Sequence, residues 1–410
     1  MTVFLNNVQS KFSLADAGLS WIFFFSIVYQ KLVPIGFGLM LISLVFKRQK
    51  NTKADLISYF SKGPALWFIF YYFLLVIGLF WTENLPFAFS KLENKLAFVL
   101  MPVLLFFTVR KWSNVEWKQL LIYSLLFALV MYEILALWRF MVQSETSWQF
   151  EFLASRFSIF MHRSYFACYL VIGIVLLFEN LRSTFSVFSV LLIFFFSLGV
   201  LQTESKAGIL CLIFVFVFQL ARVINSKNNK LLWILSSSFL ILISVILTTN
   251  NPIRARFETM WSSMANSKTK NNNTVESNSA RIIMWSTSVD VWKDNFLFGV
   301  GTGDYDDALT EKNRQYKNLG VASERLNAHN QFLNTGVQLG LIGVVFLLMI
   351  FLSAYFNPTK SVWYTLILVV FFINFLVESF LETQAGIILF CTLLLLFYFP
   401  NEEKEVSLTV

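Results

Sequence analysis

Two histidines and three basic residues are the side chains of this 410-residue sequence best placed to do chemistry: His162, His329, Arg163, Lys206 and Arg281. Both histidines fall at the ends of apolar runs, and His329 lies in ERLNAHNQFLNTGVQLGLIG. An imidazole titrates near neutral pH and can take or release a proton under ordinary conditions. Arg325 precedes His329 by four residues and shares its face if a helix has already begun there. Arg163, Lys206 and Arg281 each adjoin an apolar run or an expected surface helix. Such cations either snorkel towards lipid headgroups or converge as a pocket for an anionic group. Arginine suits phosphate because its planar fork donates two parallel hydrogen bonds. Both interpretations stand, since charge near membrane depth is costly.

Other features point away from familiar chemistries. The run Gly299-Val300-Gly301-Thr302-Gly303 has no Lys-Ser or Lys-Thr at phosphate-loop spacing, so a tight turn with close backbone packing is expected. Gly336, Gly340 and Gly343 have the small-residue spacing of a helix–helix contact. Cys168, Cys211 and Cys391 all sit inside apolar runs, which argues against disulfides and zinc. Lys11 and Asp16 accompany the first apolar run and no small-residue cleavage site follows, so the first span is expected to be retained. No nucleic-acid-binding motif accompanies the net charge of +8, which fits the basic bias of cytoplasmic loops.

The elements that must position these residues follow from composition. The sequence is 57% hydrophobic and 14% charged, an apolar surplus that only lipid can solvate. Its mean hydropathy is +0.66. Apolar runs at 14–29, 32–46, 65–81, 96–109, 120–140, 165–178, 187–201, 207–223, 231–248, 332–356, 362–377 and 386–399 predict an all-α polytopic membrane protein of about 12 transmembrane helices. Basic residues concentrate at Lys47, Arg48, Lys50, Lys53, Lys62, Arg110, Lys111, Lys118, Arg182, Arg222, Lys227 and Lys230, which favours both termini in the cytoplasm. The expected organisation is an N-terminal bundle over 1–248, an external cap over 249–331, C-terminal helices over 332–400 and a tail over 401–410. Within the cap, 268–279 reads as a flexible tip. Residues 280–292 show helical apolar spacing, and 296–305 reads as a glycine turn.

The motifs together resemble the O-antigen ligase and polymerase superfamily. His329-Asn330-Gln331 followed by Gly340 and Gly343 is similar to its H-[NSQ]-x(9)-G-x-x-G block. Arg281 with Trp285, then Phe298-Gly299-Val300-Gly301, resembles its loop helix and turn. Glu204 to Gly208 resembles a Ser-Arg-Gly motif with Lys206 in the arginine position, and a lysine cannot grip phosphate bidentately. His162-Arg163-Ser164-Tyr165 resembles a span start that often reads His-Pro-x-Tyr, and ESFLETQAG at 378–386 resembles the family's ending.

The resemblance implies the architecture of the C-type glycosyltransferases and a multi-pass protein of the bacterial inner membrane with its active site facing the periplasm. It implies transfer of a glycan from an undecaprenyl-diphosphate donor to an acceptor hydroxyl. For a ligase that hydroxyl belongs to lipid A-core. His329 would be the base and Arg281 the cation at the departing diphosphate, with Lys206, Arg163 and His162 binding the donor and Arg325, Asn330 and Trp285 in support. Direct displacement would invert the anomeric carbon. Many lipid-linked sugar transferases carry acidic metal ligands in the first outer loop. Here Tyr29 to Leu32 has none, and Glu83 and Glu93 stand apart, so no metal and no cofactor are expected. Membrane lipids are the remaining expected partners, and nucleic acid is not one. The motifs do not separate a ligase from a polymerase or a protein O-glycosylating enzyme. A transporter would place charge at mid-membrane, where this chain offers little beyond Glu133.

Overall fold

The computed structural model describes residues 13–46, 53–108, 114–142, 147–183, 186–224, 230–249, 277–356 and 361–397, with a few positions between 253 and 262. Lys47, Arg48, Lys50, Arg110, Lys111, Lys227, residues 268–276 of the expected flexible tip and the tail over 401–410 lie outside the described residues, and the last three residues of that tip, 277–279, are helical instead.

Each expected apolar run coincides with a helix. Running from the N-terminus these are α1 (Leu14–Val28), α2 (Val33–Phe46), α3 (Lys53–Lys62), α4 (Ala65–Ile77), α5 (Leu85–Lys95), α6 (Ala97–Thr108) and α7 (Asn114–Val142). Two short helices, α8 (Trp148–Phe152) and α9 (Ala154–Phe157), precede α10 (Arg163–Ser183), α11 (Val187–Gln202), α12 (Lys206–Ile224) and α13 (Lys230–Thr248). The polar stretch contributes α14 (Ser277–Asp294), α15 (Tyr305–Gln315) and α16 (Leu319–Ser323). The chain then forms α17 (Gln331–Tyr355), α18 (Val362–Val377) and α19 (Gln384–Leu396). No strand occurs among the described residues.

Four segments are long and apolar enough to cross a membrane: Trp117–Val142, Arg163–Leu181, Lys206–Val223 and Gln331–Tyr355. The other apolar helices are shorter than the usual span of about 20 residues. Burial separates a centre from a rim. In α10, 89% of the apolar window is covered by protein, against 44% in α7. The rim presents Phe73, Phe127, Ile134, Leu191, Phe194 and Val217 outward, as a lipid-facing surface requires. The chain is therefore a helical membrane protein packed around α10 and α19.

The last helices deviate from the expected pattern in one way that matters for the site. The apolar run 332–356 predicts one continuous helix, but α17 breaks at Gly340, whose φ is 66°. The glycine turn docks into this break. Val300 and Gly301 donate to the carbonyls of Val337 and Gln338 at 2.8 and 3.1 Å, and Leu341 donates to Phe296 at 2.8 Å. A Cβ on Gly340 would lie 2.3 Å from the Leu297 carbonyl, so only glycine permits both the φ and the approach. Gly336 makes the expected helix contact, against the Trp292 ring of α14. Gly340 instead receives a loop.

Candidate active site

The 378–383 link between α18 and α19 brings together two of the predicted residues, Arg281 and His329. Glu378 ends α18 and is 4% exposed. One of its carboxylate oxygens, Oε1, accepts from Arg281 Nη2 at 2.7 Å and from Ser164 Oγ at 3.0 Å. The other, Oε2, lies 3.3 Å from His329 Nδ1. Burial works to raise the pKa of this carboxyl. The His329 hydrogen bond and the charges of Arg281, His329 and His162 outweigh burial and hold it at about 2. It is an anion at any physiological pH. His329 and Arg281 keep 25% and 20% of their side-chain surface open, so neither is sealed in by its contact with Glu378.

Each partner is fixed by its own backbone. Arg281 stands in the first turns of α14, and Trp285 follows one turn later on the same face. Trp285 Nε1 donates to the His329 carbonyl at 3.3 Å, and Asn327 Oδ1 accepts from the His329 amide at 2.9 Å. His329 itself has φ 45°, in the left-handed region that costs a side-chain-bearing residue about 1–2 kcal/mol. Asn330 then caps α17: its Oδ1 accepts from Leu333 N at 3.0 Å, and its Nδ2 donates to the Leu376 carbonyl at 2.9 Å. The residue is thus held at its backbone amide and carbonyl, and its ring meets Glu378.

His162 and Arg163 lie where α10 begins, next to Ser164. Partial burial lowers the His162 pKa, Glu378 opposes that shift, and Arg163, Arg281 and His329 reinforce it. All of these groups therefore share one electrostatic neighbourhood. Lys206 opens α12 after a turn in which Glu204 has φ 49°. Its Nζ donates to Asn278 Oδ1 at 2.5 Å, one helical turn before Arg281 on α14.

Arg325 is not part of the group. The helix starts at Gln331, so the shared face supposed for Arg325 and His329 does not exist. Arg325 pairs with Asp306 at 2.6 Å and with Asp307, both on α15. It braces the cap.

A second carboxylate in the same link escaped the sequence analysis. Glu382 accepts from Lys95 Nζ at 2.7 Å, Lys91 Nζ at 3.0 Å, Tyr305 Oη at 2.7 Å and Asn334 Nδ2 at 3.1 Å. Burial opposes its ionisation, but Lys95 and Lys91 hold it at about 2. Lys95 also donates to Gln338 Oε1 at 3.3 Å, and Gln338 Nε2 donates to the Thr302 carbonyl at 2.9 Å. This layer ties α5, α15, the glycine turn and the first half of α17 to the link that carries Glu378. The available signal for both residues was two acids four apart in a short connection between apolar runs, where an unpaired charge is expensive.

Residues 168–348 match the family model described as O-antigen ligase. This match supports the resemblance to the O-antigen ligase and polymerase superfamily that the motifs carry. The match includes Lys206, Arg281, Trp285 and His329, whereas His162, Arg163, Glu378 and Glu382 lie beyond it. An uncharacterized protein of Haemophilus influenzae is 30% identical over 138 residues, which are 33% of this chain and 34% of that protein. The chain thus spans about a third of that relative's length. The superfamily consists of membrane proteins of glycan assembly with glycosyltransferase-like activity.

Proposed function

We propose that the chain transfers a glycan from an undecaprenyl-diphosphate carrier to the hydroxyl of lipid A-core, at the outer face of the bacterial inner membrane. The observation that carries this is the convergence of Arg281 and His329 on one buried carboxylate, with both side chains still partly exposed. His329 removes the proton from the acceptor hydroxyl as the oxygen attacks the anomeric carbon. The bond from that carbon to the carrier breaks, and its electron pair leaves with the diphosphate. Arg281 holds the developing charge, in a poorly solvated place where a fixed cation is most effective. Lys206, Arg163 and His162 stand around this point as donor-binding residues. The displacement is single and inverts the anomeric carbon. In this scheme the diphosphate charge is carried by the side chains of Arg281, Lys206 and Arg163, and no metal is invoked.

A polymerase would use the same donor and the same residues with a carrier-linked chain as acceptor. The experiment places the chain, or its His329→Ala variant, in a strain of the source bacterium that lacks it. Glycan on lipid A-core and glycan lengthened on the carrier are then measured separately. The expected result is glycan on lipid A-core with the native chain and none with His329→Ala, both proteins being present in the membrane. Lengthening on the carrier alone assigns the polymerase activity instead. Native transfer by His329→Ala removes the base.

A further inference from the structure

We propose that Glu378 is a positioning residue that fixes the His329 ring with its proton on Nδ1, so that Nε2 faces the acceptor as the base. This rests on the transferase function proposed above and adds the residue that prepares its base.

An imidazole acts as a base through one nitrogen only, and the other must carry the proton. Glu378 Oε2 is the group facing His329 Nδ1, at 3.3 Å. A carboxylate can only accept, so this contact requires a proton on Nδ1. Oε1 is meanwhile occupied by Arg281 at 2.7 Å and Ser164 at 3.0 Å, which stops the carboxylate from rotating. Leu381, three residues on, donates its amide to Gln331 Oε1 at 2.6 Å, and this pins the link to the start of α17. The His329 backbone cannot drift either, being held by Trp285 and Asn327. The backbone of His329 and the carboxylate of Glu378 are therefore both fixed, with Nδ1 turned towards Oε2. The same carboxylate neutralises Arg281 before the donor arrives, so the diphosphate must displace part of that contact.

The chain has only two histidines, which makes the proposal directly observable. The full-length protein is labelled with ¹⁵N-histidine and reconstituted in nanodiscs, and His162→Gln assigns the spectrum. His329 is expected as the Nδ1–H tautomer. In Glu378→Gln the amide offers either an oxygen or an NH₂, so a signal from Nε2–H should appear. Transfer to lipid A-core in cells should fall on the order of 10²-fold or more, as when a base loses its tautomer. Affinity for undecaprenyl diphosphate should not weaken, because a competing anion has gone. Glu378→Asp keeps the charge but withdraws it by one methylene, and should show the same signature in weaker form. Unchanged tautomer or unchanged transfer in folded Glu378→Gln overturns the proposal. Weakened diphosphate binding in both variants overturns it too and leaves Glu378 a brace of the fold. Native transfer by His329→Ala is a separate failure, that of the base itself, and leaves the tautomer result standing.

Discussion

Glu378 and Glu382 stand four residues apart on one short link, yet they serve different cations. Glu378 holds Arg281 and His329 at the open side of the site. Glu382 holds Lys91 and Lys95 beneath it. The link is therefore clamped from two sides, and the clamp sets the height of Glu378 relative to α14 and α17.

Acid should release this clamp. Both carboxyls sit at about 2 in the folded chain against an ordinary value of 4.5. A depressed carboxyl contributes stability that is fully present above its unfolded value and is lost as pH falls through the folded one. The Tm in detergent should be level near neutrality and decline below about pH 4.5, steepening towards pH 2. Glu382→Gln leaves Lys95 buried without its anion, at a cost of about 3–5 kcal/mol. That variant should melt lower at pH 7 and show a shallower acid decline. A Tm that rises on acidification would contradict the assignment.

The break in α17 makes a contrast between two glycines. Gly340→Ala meets both a φ of 66° and a backbone carbon at 2.3 Å. The strain alone is worth about 1–3 kcal/mol, and the clash with Leu297 pushes the glycine turn out of its seat. Gly38 has nothing within 4 Å of a built Cβ and lies in α2. Gly38→Ala should be neutral or gain up to about 1 kcal/mol. Thermal melting of the two variants should separate them by several degrees, and equal Tm values would mean that the turn is not seated on Gly340.

Hydropathy located the apolar helices, because a helix that must lie in lipid leaves a long apolar run, but polar helices such as α5 and α15 left no such run. His329 and Arg281 were legible for a related reason: charge and imidazole at the ends of such runs stand out. Their common partner was not. Nothing in the residues 329 and 378 announces a contact, since it depends on how α17 and α18 pack. Arg325 shows the opposite case: its four-residue spacing from His329 means a shared face only inside a helix, and the helix begins at Gln331. The break at Gly340 was hidden as well, because a single glycine in an apolar run is compatible with a straight helix.

Lys206 offers a test of the donor side. Its ammonium reaches Asn278, one turn from Arg281, so the two cations approach the same end of α14. If Lys206 binds donor phosphate, Lys206→Ala should weaken undecaprenyl-diphosphate binding at least tenfold and leave the fold intact. Lys206→Arg keeps the charge and adds the bidentate fork, and should bind at least as tightly as the native chain. Native affinity in Lys206→Ala would reduce the lysine to a tether for α14.

Arg281 needs a sharper design, because it has both a proposed chemical role and a visible structural one. Arg281→Ala should lower transfer on the order of 10²–10³-fold, the usual loss for one preorganised donor at a developing charge. It also strips Glu378 of its closest cation and leaves a buried anion poorly compensated, so the variant should melt lower than the native chain. Arg281→Lys should recover stability and only part of the transfer, since a single ammonium replaces the fork. The decisive variant removes both charges. Arg281→Ala combined with Glu378→Gln no longer buries an uncompensated anion, so its Tm should exceed that of Arg281→Ala alone. Its transfer should stay at least as low, because Arg281 no longer holds the departing charge and Glu378 no longer orients His329. If transfer returns along with stability in the double variant, Arg281 acts only by balancing Glu378, and the charge on the leaving group is carried elsewhere.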